Sequence, residues 1–105
     1  MMEQSFFKRL EVGRPKLAAK ARLQTDKVSG EPVLLYPEGV VLLNGPSAAI
    51  TRLCDGTRSF ATILAELAEL YHTMPGELEA DVSEYLFNLH QQALLEIAGE
   101  QESEL

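Results

Sequence analysis

Residues 32–43, PVLLYPEGVVLL, consist of two short apolar segments separated by a turn. Residues 32–36 and 40–43 are rich in the branched and aromatic side chains that strands favour, and the proline and glycine between them suit a tight turn. Before them, residues 20–25 alternate apolar with polar side chains, as a half-buried strand does. The sequence therefore predicts three consecutive strands that pair as an antiparallel meander.

The rest of the chain has the pattern of three helices. Asn44 offers a capping oxygen to the first helix and Gly56 ends it, while Ser59 caps the second. The third helix is predicted at residues 75–92, and residues 94–97 are suited to a short final strand. These patterns predict an α+β fold that is winged-helix-like, with an N-terminal three-stranded antiparallel meander followed by three helices.

The length of 105 residues and the hydrophobic content of 46% are typical of one compact domain. Residues 1–13 mix charged and apolar side chains without a clear period, and we interpret them as a flexible N-terminal arm. A helical turn that docks on the domain or on a partner is the alternative. Residues 14–97 are predicted to form the domain, and residues 98–105 a frayed acidic tail.

Charge is distributed unevenly along the chain, whose formal net charge is −7. Seven of the nine Lys and Arg residues lie within the first 27 positions, so the remainder is acidic and would repel a nucleic acid. The sequence has neither a signal segment nor an apolar run near the roughly 18 residues of a membrane span. We therefore expect a cytoplasmic protein without a nucleic-acid or membrane partner.

Side chains suited to metal binding or catalysis do not occur in the required combinations. His72 and His90 lie on different predicted helices, away from further ligands at metal-binding spacing. Ser47 and Cys54 lack the strand-turn-helix elbow that presents a nucleophile, and Cys54 is expected to pack as a small buried thiol. We expect no metal, no cofactor and no enzymatic activity, with an enzyme kept as an alternative.

A winged-helix fold also raises the alternative of a dimeric transcription regulator that binds DNA. In such a protein the last helix enters the major groove, where Lys and Arg contact phosphates and bases. The predicted last helix has no Lys or Arg and has four acidic residues, Glu77, Glu79, Asp81 and Glu84. These charges argue against DNA binding through this helix.

The strand at residues 40–43 is apolar on both faces and accompanies an amphipathic helix. An edge strand leaves N–H and C=O groups unpaired, so an extended peptide can pair with it and place alternate side chains against the helix. Two alternatives stay open. Residues 40–43 form a central strand buried by the helices, or the same edge joins two copies of the chain as a homodimer.

Several short motifs also occur in an order that is more specific than any one of them. The most distinctive consists of Leu53, Cys54, Asp55 and Gly56, followed by Arg58. The others, in chain order, are Arg14, Pro15, Lys16 and Leu17, then Arg22, Leu23, Asp26 and Gly30, residues 33–38, Leu43 and Asn44, Ala48, Ala49 and Ile50, and finally Asp81, Val82, Leu86 and Leu89. In these motifs the chain resembles the PqqD family over roughly residues 14–97.

The resemblance implies a non-catalytic domain of pyrroloquinoline quinone (PQQ) biosynthesis. Members of the family bind the precursor peptide PqqA and present it to the radical SAM enzyme PqqE, which holds the iron–sulfur clusters. A leader-peptide recognition domain of another ribosomal-peptide pathway is the alternative nearest in mechanism.

The resemblance also implies a place for the peptide, because related recognition domains bind leader peptides as an added strand between the third strand and the third helix. Carried over to this sequence, the peptide site consists of Val40, Val41, Leu42 and Leu43 on the strand and Leu78, Asp81, Val82 and Tyr85 on the helix. Since side chains alternate along a strand, only part of each set can contact the peptide.

Overall fold

The structure is a computed structural model that describes the backbone of residues 2–99 and the side chains of residues 5–99. Its elements, in chain order, are α1 (Met2–Val12), β1 (Arg14–Leu17), β2 (Arg22–Thr25), β3 (Pro32–Tyr36), β4 (Gly39–Leu42), α2 (Gly45–Leu53), α3 (Phe60–Leu70), α4 (Pro75–Gln91) and β5 (Leu95–Ala98). Most of the predicted acidic tail, residues 100–105, lies outside the described part of the chain.

Strands β2, β3 and β4 form a three-stranded antiparallel sheet in that order, which confirms the predicted meander. Leu34 at its centre lies opposite Leu23 of β2 and Val41 of β4, and all three pack in the hydrophobic core. Asp26 closes the turn between β2 and β3, since its carboxylate accepts hydrogen bonds from the backbone N–H and the hydroxyl of Ser29.

The three helices that follow the meander begin where the sequence predicts. Asn44 Oδ1 accepts a hydrogen bond from Ser47 N at 2.8 Å, and Ser59 Oγ accepts one from Thr62 N at 3.1 Å. α4 begins at Pro75, whose missing N–H costs nothing in a first turn. The α+β fold is confirmed, and the order of its elements is compatible with a winged helix.

A second, two-stranded sheet joins the two ends of the domain. β1 pairs antiparallel with β5, so that Pro15 lies opposite Ile97. β1 also contacts the end of α2, because Leu17 N donates to the carbonyl oxygen of Cys54 at 3.0 Å. The short final strand is confirmed, but the pairing with residues 14–17 was not predicted. The alternation of RPKL covers only four residues, and it does not indicate which distant segment is the partner.

The N-terminal segment forms helix α1, which differs from the weakly ordered arm that we expected and agrees with the docked-helix alternative. Phe6 and Leu10 are only 2% and 1% exposed. The Phe6 ring lies 5.5 Å from the ring of Phe87 and 4.9 Å from that of His90, both on α4. Phe6, Phe7 and Leu10 have the spacing of one helix face, but these three positions alone do not distinguish a helix from an arm, and burial against α4 stabilises the helix. The division into arm, domain and tail stays a prediction.

One hydrophobic core connects α1, the meander, the other helices and β5. Leu34, Ile63, Leu86 and Leu94 are inaccessible to solvent within it. Among residues 2–99, no helix combines the length and the apolar character needed to cross a membrane.

Candidate functional site

β4 is an edge strand, because it pairs with β3 on one side and with no other strand of residues 2–99. The alternative of a central strand at residues 40–43 is therefore wrong, since β3 has that position. Leu43 N donates to the carbonyl oxygen of Pro32 at 3.0 Å, which makes these residues a hydrogen-bonded pair of the ladder. Such pairs alternate with non-bonded ones, so the N–H and C=O groups of Val40 and Leu42 point away from β3.

The side chains of the predicted strand residues divide between two faces of the sheet. Val41 is half-buried and Leu43 is buried, and both belong to the side that packs in the core. Val40 and Leu42 lie on the opposite face, where they are 51% and 77% exposed. β4 therefore offers apolar surface on both faces and unpaired backbone groups at its edge.

On the helix side, three of the four predicted residues line one apolar cavity of about 200 Å³. Leu78 and Val82 contribute apolar surface from α4, and the exposed Asp81 borders the same space. The other lining residues come from the start of α2 and from the α3 region: Pro46, Ile50, Leu67 and Tyr71. None of the described β4 residues lines this cavity. The two sets therefore meet only through the hydrophobic core, to which Val41, Leu43, Leu78, Val82 and Tyr85 belong, whereas Val40, Leu42 and Asp81 lie outside it.

Tyr85, the fourth predicted helix residue, is tied to α2. Its hydroxyl oxygen lies 2.8 Å from Thr51 Oγ1, and Thr51 Oγ1 donates to the carbonyl oxygen of Ser47 at 2.8 Å. Because a threonine hydroxyl has one proton, Tyr85 must be the donor in the first bond. Burial raises the pKa of Tyr85, so the phenol keeps this proton at neutral pH. Towards a ligand, Tyr85 can only accept a hydrogen bond.

Sequence reasoning missed the contribution of α2 and α3 to this site. From the sequence, Ile50 was noted only as part of a motif, and Tyr71 and Thr51 had no assigned role. These residues line or support the cavity because α2, α3 and α4 pack together. The helical period of one segment does not indicate how it packs on the others. The available signal was Thr51 itself, since a hydroxyl within an otherwise apolar face needs a buried partner.

The motif at residues 53–58, where the resemblance is strongest, connects α2 to α3. Arg58 Nη1 lies 2.6 Å from Asp55 Oδ2, and Arg58 Nε lies 3.0 Å from Glu66 Oε2. Hydrogen bonds from the backbone and hydroxyl of Thr57, with a smaller contribution from Arg58, lower the pKa of Asp55. No residue of the motif lines the cavity. The motif thus holds the two helices that position the cavity's other residues.

The cysteine and the histidines are not arranged as a reactive site. Cys54 is buried, and this burial, with a smaller effect of Asp55, raises the pKa of its thiol to about 12. The thiol is therefore protonated, and its Sγ donates to the carbonyl oxygen of Ile50 at 3.3 Å. His72 and His90 occupy different places, the first exposed and the second against Phe6. Among the described residues, no group of three or more His, Cys, Asp or Glu side chains could hold a metal ion.

Comparison with known proteins places these features in a family. The sequence model described as "Coenzyme PQQ synthesis protein D (PqqD)" matches residues 31–95 of this chain. A protein named "PqqA binding protein" from Xanthomonas axonopodis pv. citri is 43% identical over 84 residues, which cover 80% of this chain and 91% of the relative. Its namesake from Xanthomonas euvesicatoria pv. vesicatoria is 42% identical over 84 residues, with coverage of 80% and 91%.

Two solved structures have a similar fold. The solution NMR structure of the PqqD truncation of Methylobacterium extorquens PqqCD, a functional and stand-alone RiPP recognition element, has a TM-score of 0.68 at 34% identity and covers 78% of this chain and 87% of its own. The crystal structure of PqqD from Xanthomonas campestris has a TM-score of 0.53 at 40% identity, with coverage of 76% and 89%. With most of its length matched by the family model and by these relatives, this chain belongs to the PqqD family.

Proposed function

We propose that this chain is a non-catalytic peptide-binding protein of PQQ biosynthesis, which binds the precursor peptide PqqA and presents it to the radical SAM enzyme PqqE. Membership of the PqqD family supports the pathway, and the relatives' shared name, PqqA binding protein, supports the ligand. The description of the M. extorquens domain as a stand-alone recognition element supports peptide binding by a domain of this kind alone.

The free edge of β4 is the observation that carries the proposal. The sheet has two edges, and they differ in charge: β2 begins with the exposed Arg22, whereas Gly39–Leu42 contains no charged side chain. Natural proteins usually protect an edge with charge or cover it, because a bare edge pairs with other chains. The uncharged β4 edge therefore suits an extended peptide that adds a fourth strand.

The α4 side of the site supplies selectivity in this proposal. Alternate side chains of an added strand point towards the helices. Leu78 and Val82 offer them an apolar cavity, Asp81 offers a carboxylate, and Tyr85 offers a hydrogen-bond acceptor. Backbone pairing then provides affinity, while these side chains select a peptide with an apolar residue near a donor group.

Peptide binding is tested by titrating ¹⁵N-labelled protein with synthetic PqqA and following backbone amide shifts. We expect the largest shifts at Val40 and Leu42, whose N–H groups face the free edge, and at Leu78 and Tyr85 on α4. A PqqA of scrambled sequence is the control. No shifts at a large excess of PqqA, with the protein folded and monomeric, would remove the proposal.

Presentation is tested separately by adding PqqE. Fluorescent PqqA should sediment with PqqE only when this chain is present, because holding the peptide beside the enzyme raises its effective concentration. The rate at which PqqE modifies PqqA should rise as well. A rate that does not respond to this chain contradicts presentation and leaves peptide binding intact.

A homodimer formed through the same edge stays a prediction. Two β4 edges that pair with each other cannot also pair with peptide, so dimer and complex would compete. Sedimentation velocity with increasing PqqA distinguishes them: a dimer that dissociates as peptide binds supports a shared edge, whereas a dimer that binds peptide unchanged uses another surface.

A further inference from the structure

We propose that the peptide is recognised on both faces of its strand. In addition to the side chains directed towards α4, two aliphatic side chains that are two positions apart pack on Val40 and Leu42, on the face of the sheet remote from the helices. This inference rests on the proposed function and specifies which peptide the edge selects.

The backbone geometry determines which peptide residues reach this outer face. The N–H and C=O groups of Val40 and Leu42 point towards the free edge, so an added strand must pair with these two residues. In an antiparallel pair, residues that exchange hydrogen bonds lie directly opposite and direct their side chains to the same face. In a peptide that runs antiparallel to β4, the residues bonded to Val40 and Leu42 therefore face outwards, and the residue between them faces the helices.

The outer face already has an apolar row that ends at the open edge. Leu42 lies opposite Val33, and Val40 lies opposite Leu35, so the four side chains share this face. Val33 and Leu35 lie on the central strand, where they are 4% exposed and half-buried, whereas Val40 and Leu42 lie on the edge strand and have a neighbouring strand on one side only. A peptide strand would supply the missing neighbour. Aliphatic side chains gain from this burial, and charged ones lose hydration.

The size of the exposed row favours a peptide over a folded protein. Val40 and Leu42 make a row one residue wide, whereas a specific interface between folded proteins takes roughly 800 Å² from each partner. On β2 the same face becomes polar at Arg22 and Gln24, so the apolar row does not continue across the sheet. A strand that pairs with the β4 edge covers the whole exposed row without further surface.

The first test measures affinity for synthetic PqqA after Val40→Thr, Leu42→Thr and both together. Threonine is β-branched, which strands favour, but it presents a hydroxyl, so the strand persists at either position while its outer face loses apolar surface. Each single substitution should weaken binding about three- to tenfold, because it removes both a cross-strand apolar pair and the burial of apolar surface. Val28→Thr is the matched control, because Val28 is 96% exposed in the β2–β3 turn, and it should leave affinity unchanged.

The second test identifies the peptide residues with an alanine scan of PqqA against the unsubstituted protein and the doubly substituted one. Alanine at two PqqA positions spaced i and i+2 should weaken binding to the unsubstituted protein. The same changes should have no effect on binding to the doubly substituted protein. Amide spectra and melting temperatures of the variants show whether the fold is kept.

The outcomes separate this inference from the proposed function. If the unsubstituted protein binds PqqA and the threonine variants, still folded, bind it equally well, the outer row is not a recognition surface and peptide binding stands. If the unsubstituted protein does not bind PqqA, both ideas fall. A change in self-association with no change in peptide affinity also overturns the inference, since the row would then join two copies of the chain.

Discussion

Tyr85 of α4 donates a 2.8 Å hydrogen bond to Thr51 of α2, joining two helices that line the apolar cavity. Thr51 is buried, and its own proton goes to the carbonyl oxygen of Ser47. Thr51 thus accepts a hydrogen bond from α4 and donates one within α2. This bond orients Tyr85 so that its remaining lone pair is available to a ligand.

Removing the acceptor should cost more than removing the donor. Thr51→Val leaves a half-buried Tyr85 hydroxyl without its partner, and we expect a loss of about 1–2 kcal/mol in the free energy of unfolding. Tyr85→Phe leaves Thr51 bonded to Ser47 and should cost less. The double variant should lose less than the sum, because both partners are gone. Urea denaturation measures all three.

Ser83→Ala is the control for this cycle. Its hydroxyl donates only to the carbonyl oxygen of Ala80 within α4, so the free energy of unfolding should change by no more than about 0.5 kcal/mol. Additive effects of Thr51→Val and Tyr85→Phe would show that the bond contributes no coupling.

Stability should fall in alkaline solution because of Cys54. Burial raises the pKa of its thiol from 9.0 to about 12, so the unfolded thiol ionises first. The protonated thiol's contribution to the free energy of unfolding is complete below pH 9. It is lost as pH rises towards 12, by about 1.4 kcal/mol per pH unit. Burial also raises the pKa of Tyr85, which adds to the slope above its usual range.

The Cys54→Ala variant shows how much of the fall in the free energy of unfolding with pH is due to the thiol. Urea denaturation at several pH values from 8 to about 11 should give a shallower decline for this variant than for the unsubstituted protein. Parallel declines would mean that the thiol does not titrate differently in the folded and unfolded states.

Gly13 should tolerate no side chain. A Cβ at this position would overlap Ile97 Cγ2 of β5 and approach the carbonyl oxygen of Ala98 at 3.1 Å. Gly13→Ala should therefore lower the free energy of unfolding by about 1–3 kcal/mol. In contrast, Gly76→Ala, with open space around its Cβ in the first turn of α4, should be neutral or stabilising by up to about 1 kcal/mol. Equal effects of the two substitutions would contradict the close approach of Gly13 to β5.

Helix α1 should contribute to the stability of the whole domain. Phe6→Ala removes a buried ring that packs on Phe87 and His90, and it should cost about 3–5 kcal/mol in the free energy of unfolding. Val12→Ala in the same helix is the control, because Val12 is largely exposed, and it should change little. Thermal unfolding of both variants decides whether residues 2–12 are part of the fold or an attached arm.

The sequence by itself determined the local elements of this protein. Alternation in residues 20–25, the turn residues before β4, and the capping side chains of Asn44 and Ser59 predicted the meander and the starts of the helices. These signals are readable because strand preference and helix capping act between residues a few positions apart. The ordered motifs around Leu53–Arg58 likewise predicted the family before any contact was known.

Only the tertiary structure decided how those elements are used. Whether residues 40–43 form an edge or a central strand depends on what lies beside them, and so does the pairing of Pro15 with Ile97. The cavity beside Leu78 and the bond between Thr51 and Tyr85 exist because segments distant in sequence bury apolar surface together. Burial of this kind depends on area removed from water and not on sequence order, which is why no local pattern reports it.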